Sequence, residues 1–253
     1  MEYLVALVAL TAMEIVLGID NIVFIAILTG QLPENERPGA RRFGLGLALV
    51  SRVLLLLAIS QVLKLTYAVF YLQNLGIPES WLSEEVNLVS WKDLILFVGG
   101  LFLIWKSVFE IHKKLEGGAE EHKGGGRSSY VGVIVQIGLL DIIFSLDSVI
   151  TAVGMVKGDA KGLAVMVTAI VLAIIVMLIF AGKVSDFVER HPTLKMLALS
   201  FLILIGVMLV AEGIGTHMDK KLIYFAMAFS LVLEMLNMRL RNVRARKKQA
   251  AAA

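Results

Sequence analysis

Residues 13–24, MEIVLGIDNIVF, and residues 140–151, LDIIFSLDSVIT, are two versions of one pattern. Glu14 is followed six positions on by Asp20 and then Asn21, and Asp141 is followed at the same spacing by Asp147 and then Ser148. Everything between these polar positions is apolar or small. Each stretch sits in a run long enough to cross a bilayer, where a carboxylate is expensive and usually functional. An ion pathway is therefore the first functional reading.

Composition supports the membrane setting. The chain has 253 residues, of which 58% are apolar, and a mean hydropathy of +0.83, far above that of a soluble domain of this size. Only helices and closed barrels satisfy the backbone in lipid, and apolar runs of about 20 residues specify helices. The fold class expected is an all-α polytopic membrane protein. Cysteine is absent, which excludes disulfides, thiolate metal sites and a catalytic thiol. The first apolar run carries Glu14 and Asp20 and has no basic flank before it, so it reads as a membrane helix rather than a cleaved signal.

Seven transmembrane helices are expected, near 3–29, 43–65, 92–113, 130–155, 162–183, 194–216 and 221–239. Arg37, Arg41 and Arg42 follow the first span; Lys113, Lys114, Lys123 and Arg127 follow the third; Lys183, Arg190 and Lys195 surround the end of the fifth. The tail adds Arg239, Arg241, Arg244, Arg246, Lys247 and Lys248, while the alternate loops are poor in bases. By the positive-inside rule the amino terminus is outside and the carboxyl terminus cytoplasmic. Tyr67, Tyr71, Trp81 and Trp91 mark an outer interfacial segment between spans two and three, with room for a short surface helix. The glycine-rich, charged stretch GGAEEHKGGG at 117–126 reads as a linker. The expected organisation is a single membrane domain: repeat one at 1–116, a cytoplasmic linker at 117–129, repeat two at 130–218, a seventh helix at 219–242 and a basic tail at 243–253.

The two motifs align at an offset of 127 residues. Three spans separate the copies, and an odd number of crossings reverses direction, so the expectation is an inverted repeat of 3+3 helices plus a seventh helix. Glu14 and Asn21 share a helix face, as do Asp141 and Ser148, while Asp20 and Asp147 lie roughly 100° round. Glu14 and Asp20 are about 9 Å apart along the axis, too far for one straight helix to chelate an ion through both. If each span is centred in the bilayer, Glu14 meets Asp147 and Asp20 meets Asp141, giving two stacked pairs, or one site if the helices unwind near Gly18 and Ser145. The candidate metal-ligating set is Glu14, Asp20, Asn21, Asp141, Asp147 and Ser148. Oxygen ligands without Cys or His in the motifs suit hard ions such as Mn²⁺, Mg²⁺ or Ca²⁺.

These motifs, EIVLGIDN at 14–21 and DIIFSLDS at 141–148, resemble the paired signature of TerC-family integral membrane proteins, and the likeness extends over nearly the whole chain. The resemblance implies a bacterial inner (plasma) membrane protein, a LysE-superfamily-like inverted repeat and Mn²⁺ efflux, beside an association with tellurium resistance. Carried over residue by residue, it implies Glu14, Asp20, Asp141 and Asp147 as the acidic positions, with Asn21 and Ser148 beside them. Tellurite is an anion, which a pocket of carboxylates repels, so any resistance is expected to be indirect.

Around the motif, Arg52 in span two reads as a counter-ion that holds the empty acids, with Lys106 in span three and Glu212 in span six as further supporting charge. Glu110 and His112 are expected to be solvated near the inner end of span three, and the 11 methionines to be core filler. The functional expectation is a divalent cation transporter, Mn²⁺ first, with Mn²⁺ or Ca²⁺ as transported ion and no organic cofactor. The alternatives are a Ca²⁺ or other cation/proton exchanger, or a membrane scaffold supplying metal to secreted proteins. No protease or hydrolase motif follows either acid pair, so no enzyme is expected. Expected partners are membrane lipid, the transported cation and protons, not nucleic acid, with homo-oligomerisation left open.

Overall fold

The computed structural model describes residues 2–58, 62–71, 73, 87–116, 129–155, 160–216 and 220–250, and the side chains of Asp20 and Asp147 lie outside that description. The protein is mostly helical. Helix α1 spans Glu2–Thr29, α2 Arg37–Leu57, α3 Trp91–Glu116, α4 Tyr130–Met155, α5 Ala160–Arg190, α6 Pro192–Gly213 and α7 Lys220–Ala250. Prolines open two of them: Pro38 lies at the start of α2 and Pro192 at the start of α6, where a missing N–H has no intrahelical partner to lose. Among the described residues, six helices are long and apolar enough to cross a membrane, and α2 is not one of them. It carries Arg37, Arg41, Arg42 and Arg52 in 21 residues.

Some element ends differ from expectation for physical reasons. Helix α2 begins at Arg37 rather than near 43. Helix α7 does not stop at 239 but runs through the basic tail to Ala250, because Arg, Lys, Gln and Ala propagate a helix once apolar packing has started it. The outer segment shows no surface helix in its described parts. Instead a 3₁₀ turn at Leu63–Thr66 leads into β1, Ala68–Tyr71, which pairs antiparallel with β2, Leu88–Ser90. Branched and aromatic side chains in Ala-Val-Phe-Tyr favour this extended pairing, so the all-α class gains a two-stranded sheet. The predicted linker at 117–129 lies, except for Ser129, outside the described residues.

Packing brings α1 against α5, α2 against α4 and α3 against α6, while α7 rests on α6. The contacts give their directions. Gly18 lies against Met177 and Gly30 near Glu189, so α1 and α5 run the same way. Gly44 lies against Ile137, and Ser51 and Arg52 reach Asp141, so α2 and α4 also run together. Arg37 pairs with Glu189 and Arg41 with Asp186, which sets α2 opposite to α5. Helices α1 and α4, the two motif helices, therefore run in opposite directions. In the α3–α6 pair, a Cβ on Gly100 would stand 2.6 Å from the Gly206 carbonyl oxygen, so two glycines let the backbones touch. Leu10, Ile27, Leu28, Leu103, Ile137, Leu140 and Ile174 are fully buried among these helices, forming the core around the motif helices.

Candidate functional site

Three charged side chains meet in that core. Glu14 comes from α1, Arg52 from α2 and Asp141 from α4, and they are 2%, 2% and 5% exposed. The guanidinium donates through Nη1 to Glu14 Oε2. It donates to Asp141 Oδ1 through Nη2 at 3.2 Å and Nε at 3.4 Å. The planar fork of arginine suits this bridging, because its donors diverge in fixed directions while the charge stays delocalised. The other Asp141 oxygen, Oδ2, accepts from Ser51 Oγ at 2.5 Å and from Ser145 Oγ at 3.3 Å. Ser148 Oγ donates to the Ser145 carbonyl oxygen at 3.3 Å.

Helix periodicity explains the placement. Asn21 stands seven residues beyond Glu14, and Ser148 seven beyond Asp141, so each repeats the face of its acid two turns on. Both are buried, at 8% and 7% exposed. The pairing by depth placed Glu14 and Asp141 in different pairs, whereas they share one arginine. A side chain as long as arginine lets these two like-charged groups meet one cation. Each pair expected from depth includes Asp20 or Asp147, whose side chains lie outside the described residues. Helices α1 and α4 are continuous through Gly18 and Ser145, so no unwinding occurs there.

The remaining candidates are found elsewhere. Lys106 Nζ pairs with Glu110 Oε1 at 2.9 Å, one turn along α3, and Gln31 Nε2 donates to the same oxygen at 3.0 Å. Glu110 is thus a half-buried ion-pair partner rather than a solvated acid, with its side chain 11% exposed. Glu212 pairs with Lys92 at 3.4 Å, at the opposite end of α3. His112 makes an exposed contact with Glu116. Sequence reading did not single out Ser51. Its signal was adjacency to a mid-span arginine, and only the approach of α4 gives it an acceptor. Among the described residues no three His, Cys, Asp or Glu side chains converge as a metal cage. Asp141 and Glu14 offer carboxylate oxygens and Ser51 and Ser145 hydroxyl oxygens, with the Arg52 guanidinium as the resident cation.

Residues 1–249 match the family described as "Integral membrane protein TerC family". The chain belongs to the TerC family of integral membrane proteins. Among its TerC-family relatives, a UPF0053 protein of Haemophilus influenzae is 49% identical over 244 residues, covering 96% of each chain. The UPF0053 inner membrane protein YgdQ of Escherichia coli is 50% identical over 233 residues, covering 92% of this chain and 91% of that one. The UPF0053 inner membrane protein YoaE of Escherichia coli is 44% identical over 234 residues, 91% of this chain but 42% of its own longer one. No solved structure matches the chain. A TerC-family integral membrane protein with buried charge between its helices is consistent with membrane transport.

Proposed function

We propose that this protein is a divalent cation transporter of the bacterial inner membrane, exporting Mn²⁺ through a carboxylate site between two inverted repeats. The observation that carries the reading is the buried Glu14–Arg52–Asp141 cluster joining the two motif helices. Buried charge of this kind gives no reliable stability over apolar packing, so a transport role is the better reason for it. Asp20, Asn21, Asp147 and Ser148 would complete the ligand set, with Arg52 holding the acids together in the absence of cargo. An entering cation would replace the guanidinium at Glu14 and Asp141.

Support for the repeat comes from the packing pairs. Exchanging α1 with α4, α2 with α5 and α3 with α6 turns the α1–α5 contact into α4–α2 and leaves α3–α6 unchanged. In this reading α2 is an arginine-bearing seventh span, and the positive-inside rule then favours basic helix ends on the cytoplasmic side and the amino terminus outside. Charge favours coupling to protons. Lys106 is already matched by Glu110, and among the described residues Arg52 is the cation paired with Glu14 and Asp141; with Asp20 and Asp147 counted in the proposed ligand set, four carboxylates against one guanidinium leave three negative charges. One divalent cation and one proton balance them, which makes cation/proton exchange the form of transport favoured.

The test is cellular Mn²⁺ content and tolerance on expression of wild type, Glu14→Gln, Asp141→Asn, Asp20→Asn or Asp147→Asn. The acid variants should lose efflux and accumulate Mn²⁺; wild-type efflux in all four would defeat the assignment. Transport of Mn²⁺, Ca²⁺ and Mg²⁺ into liposomes with an internal pH dye separates the ions and shows whether protons move in exchange.

A further inference from the structure

A second charged feature lies apart from the motif, where the first turns of α2 meet the later part of α5. A cavity of about 380 Å³ opens there, lined by Arg41, Arg42, Leu45, Ile179, Gly182 and Lys183 among others. We propose that it seats an anionic phospholipid, with the phosphate against Arg42 and Lys183 and the acyl chains along α5.

Three bases and one acid line the cavity. Asp186 is engaged by Arg41 at 3.3 Å. Among the described residues Arg42 has no carboxylate partner, and the Lys183 ammonium is 6.0 Å from the Phe180 ring centroid. Among the described residues the cavity therefore carries two positive charges that no carboxylate matches. Space is available beside them, since a Cβ at Gly182 would meet nothing within 4 Å. One turn toward the middle of α5, Leu178 and Ile179 are 43% and 62% exposed. In a membrane-spanning helix such side chains face acyl chains, while bases at the helix ends lie level with headgroups. A basic recess directly above an exposed apolar strip matches an anionic headgroup joined to two chains. A zwitterionic lipid brings its own ammonium and has no use for the surplus charge. This lipid seat requires neither the transport reading nor a particular face to be cytoplasmic.

Native mass spectrometry of the purified full chain, supplemented with phosphatidylglycerol or phosphatidylcholine, tests the proposal. Phosphatidylglycerol adducts should exceed phosphatidylcholine adducts by about thirtyfold, the preference expected of two basic contacts at about 1 kcal/mol each. R42Q/K183Q should abolish the preference, and Gly182→Leu should lower phosphatidylglycerol retention by filling the recess with its charges intact. Arg241→Gln/Arg244→Gln, in the exposed end of α7, should leave it unchanged. Equal retention of the two lipids, loss of preference only in the α7 variant, or displacement of phosphatidylglycerol by inorganic phosphate would each overturn the lipid assignment.

Discussion

The pairs α2–α4 and α1–α5 make corresponding contacts, yet they surround their motifs differently. Helix α2 presents Ser51 and Arg52 to α4. From Met166 to Ala181, the buried side chains of α5 are Met166, Ala169, Ile170, Ala173, Ile174, Met177 and Ala181, all apolar. Asp141 consequently has hydroxyls on one oxygen and the guanidinium on the other, whereas among the described residues the side-chain hydrogen-bond partner of Glu14 is Arg52. Two motifs of similar sequence are therefore chemically unequal, and a single arginine serves both.

The largest break in this comparison is Arg52→Ala. It leaves two buried carboxylates without their cation, and removing one partner of a buried ion pair destabilises by about 3–5 kcal/mol. The expected outcome is a strong loss of thermal stability in detergent, followed by size-exclusion chromatography. Arg52→Lys should recover only part of it, because a point charge does not span two acids as a fork does. Equal stability of wild type and the alanine variant would mean the acids do not depend on the arginine.

The inequality itself is tested by Asp141→Asn against Glu14→Gln. The first disturbs bonds to Ser51, Ser145 and Arg52, the second only the bond to Arg52, so the first should be worse by about 1–2 kcal/mol. A double-mutant cycle with Arg52→Ala should show coupling to both acids. Identical losses would remove the asymmetry.

Packing differs on a smaller scale. Gly100→Ala drives a methyl into the backbone of Gly206 and should destabilise the α3–α6 contact by about 1–3 kcal/mol. Gly18→Ala meets the flexible Met177 side chain on the apolar α5 face, which can give way, and should cost less. Melting temperatures of the two variants provide the comparison. Ser51→Ala, the smallest change, should cost about 0.6 kcal/mol, the average for a hydrogen bond between membrane helices, and a shift as large as that of Asp141→Asn would make Ser51 more than an accessory donor.

Much was legible because bilayer physics is local in sequence. Apolar run length specified the helices at 2–29, 91–116 and 130–155 within a few residues, since every backbone polar group in lipid must bond within its own helix. The four motif acids stood out because few carboxylates occur in such runs. Less legible were elements whose character is set by neighbours. Helix α2 is too rich in arginine to read cleanly as a span, and its Arg52 side chain is accommodated because Glu14 and Asp141 approach it. Glu110 looked solvated until Lys106 and Gln31 were placed beside it. The strand pair at Ala68–Tyr71 and Leu88–Ser90 depends on contact between distant residues that no local periodicity announces.

What the sequence determined by itself is the membrane setting, the helical class, the family and the duplicated acids, all properties of single segments or of matched segments. The tertiary structure decided which charges meet. An arginine in one helix and carboxylates in two others acquire a common site only when α1, α2 and α4 pack, because the reach of a side chain is a few ångströms and the order of residues along a chain does not encode the distance between helices.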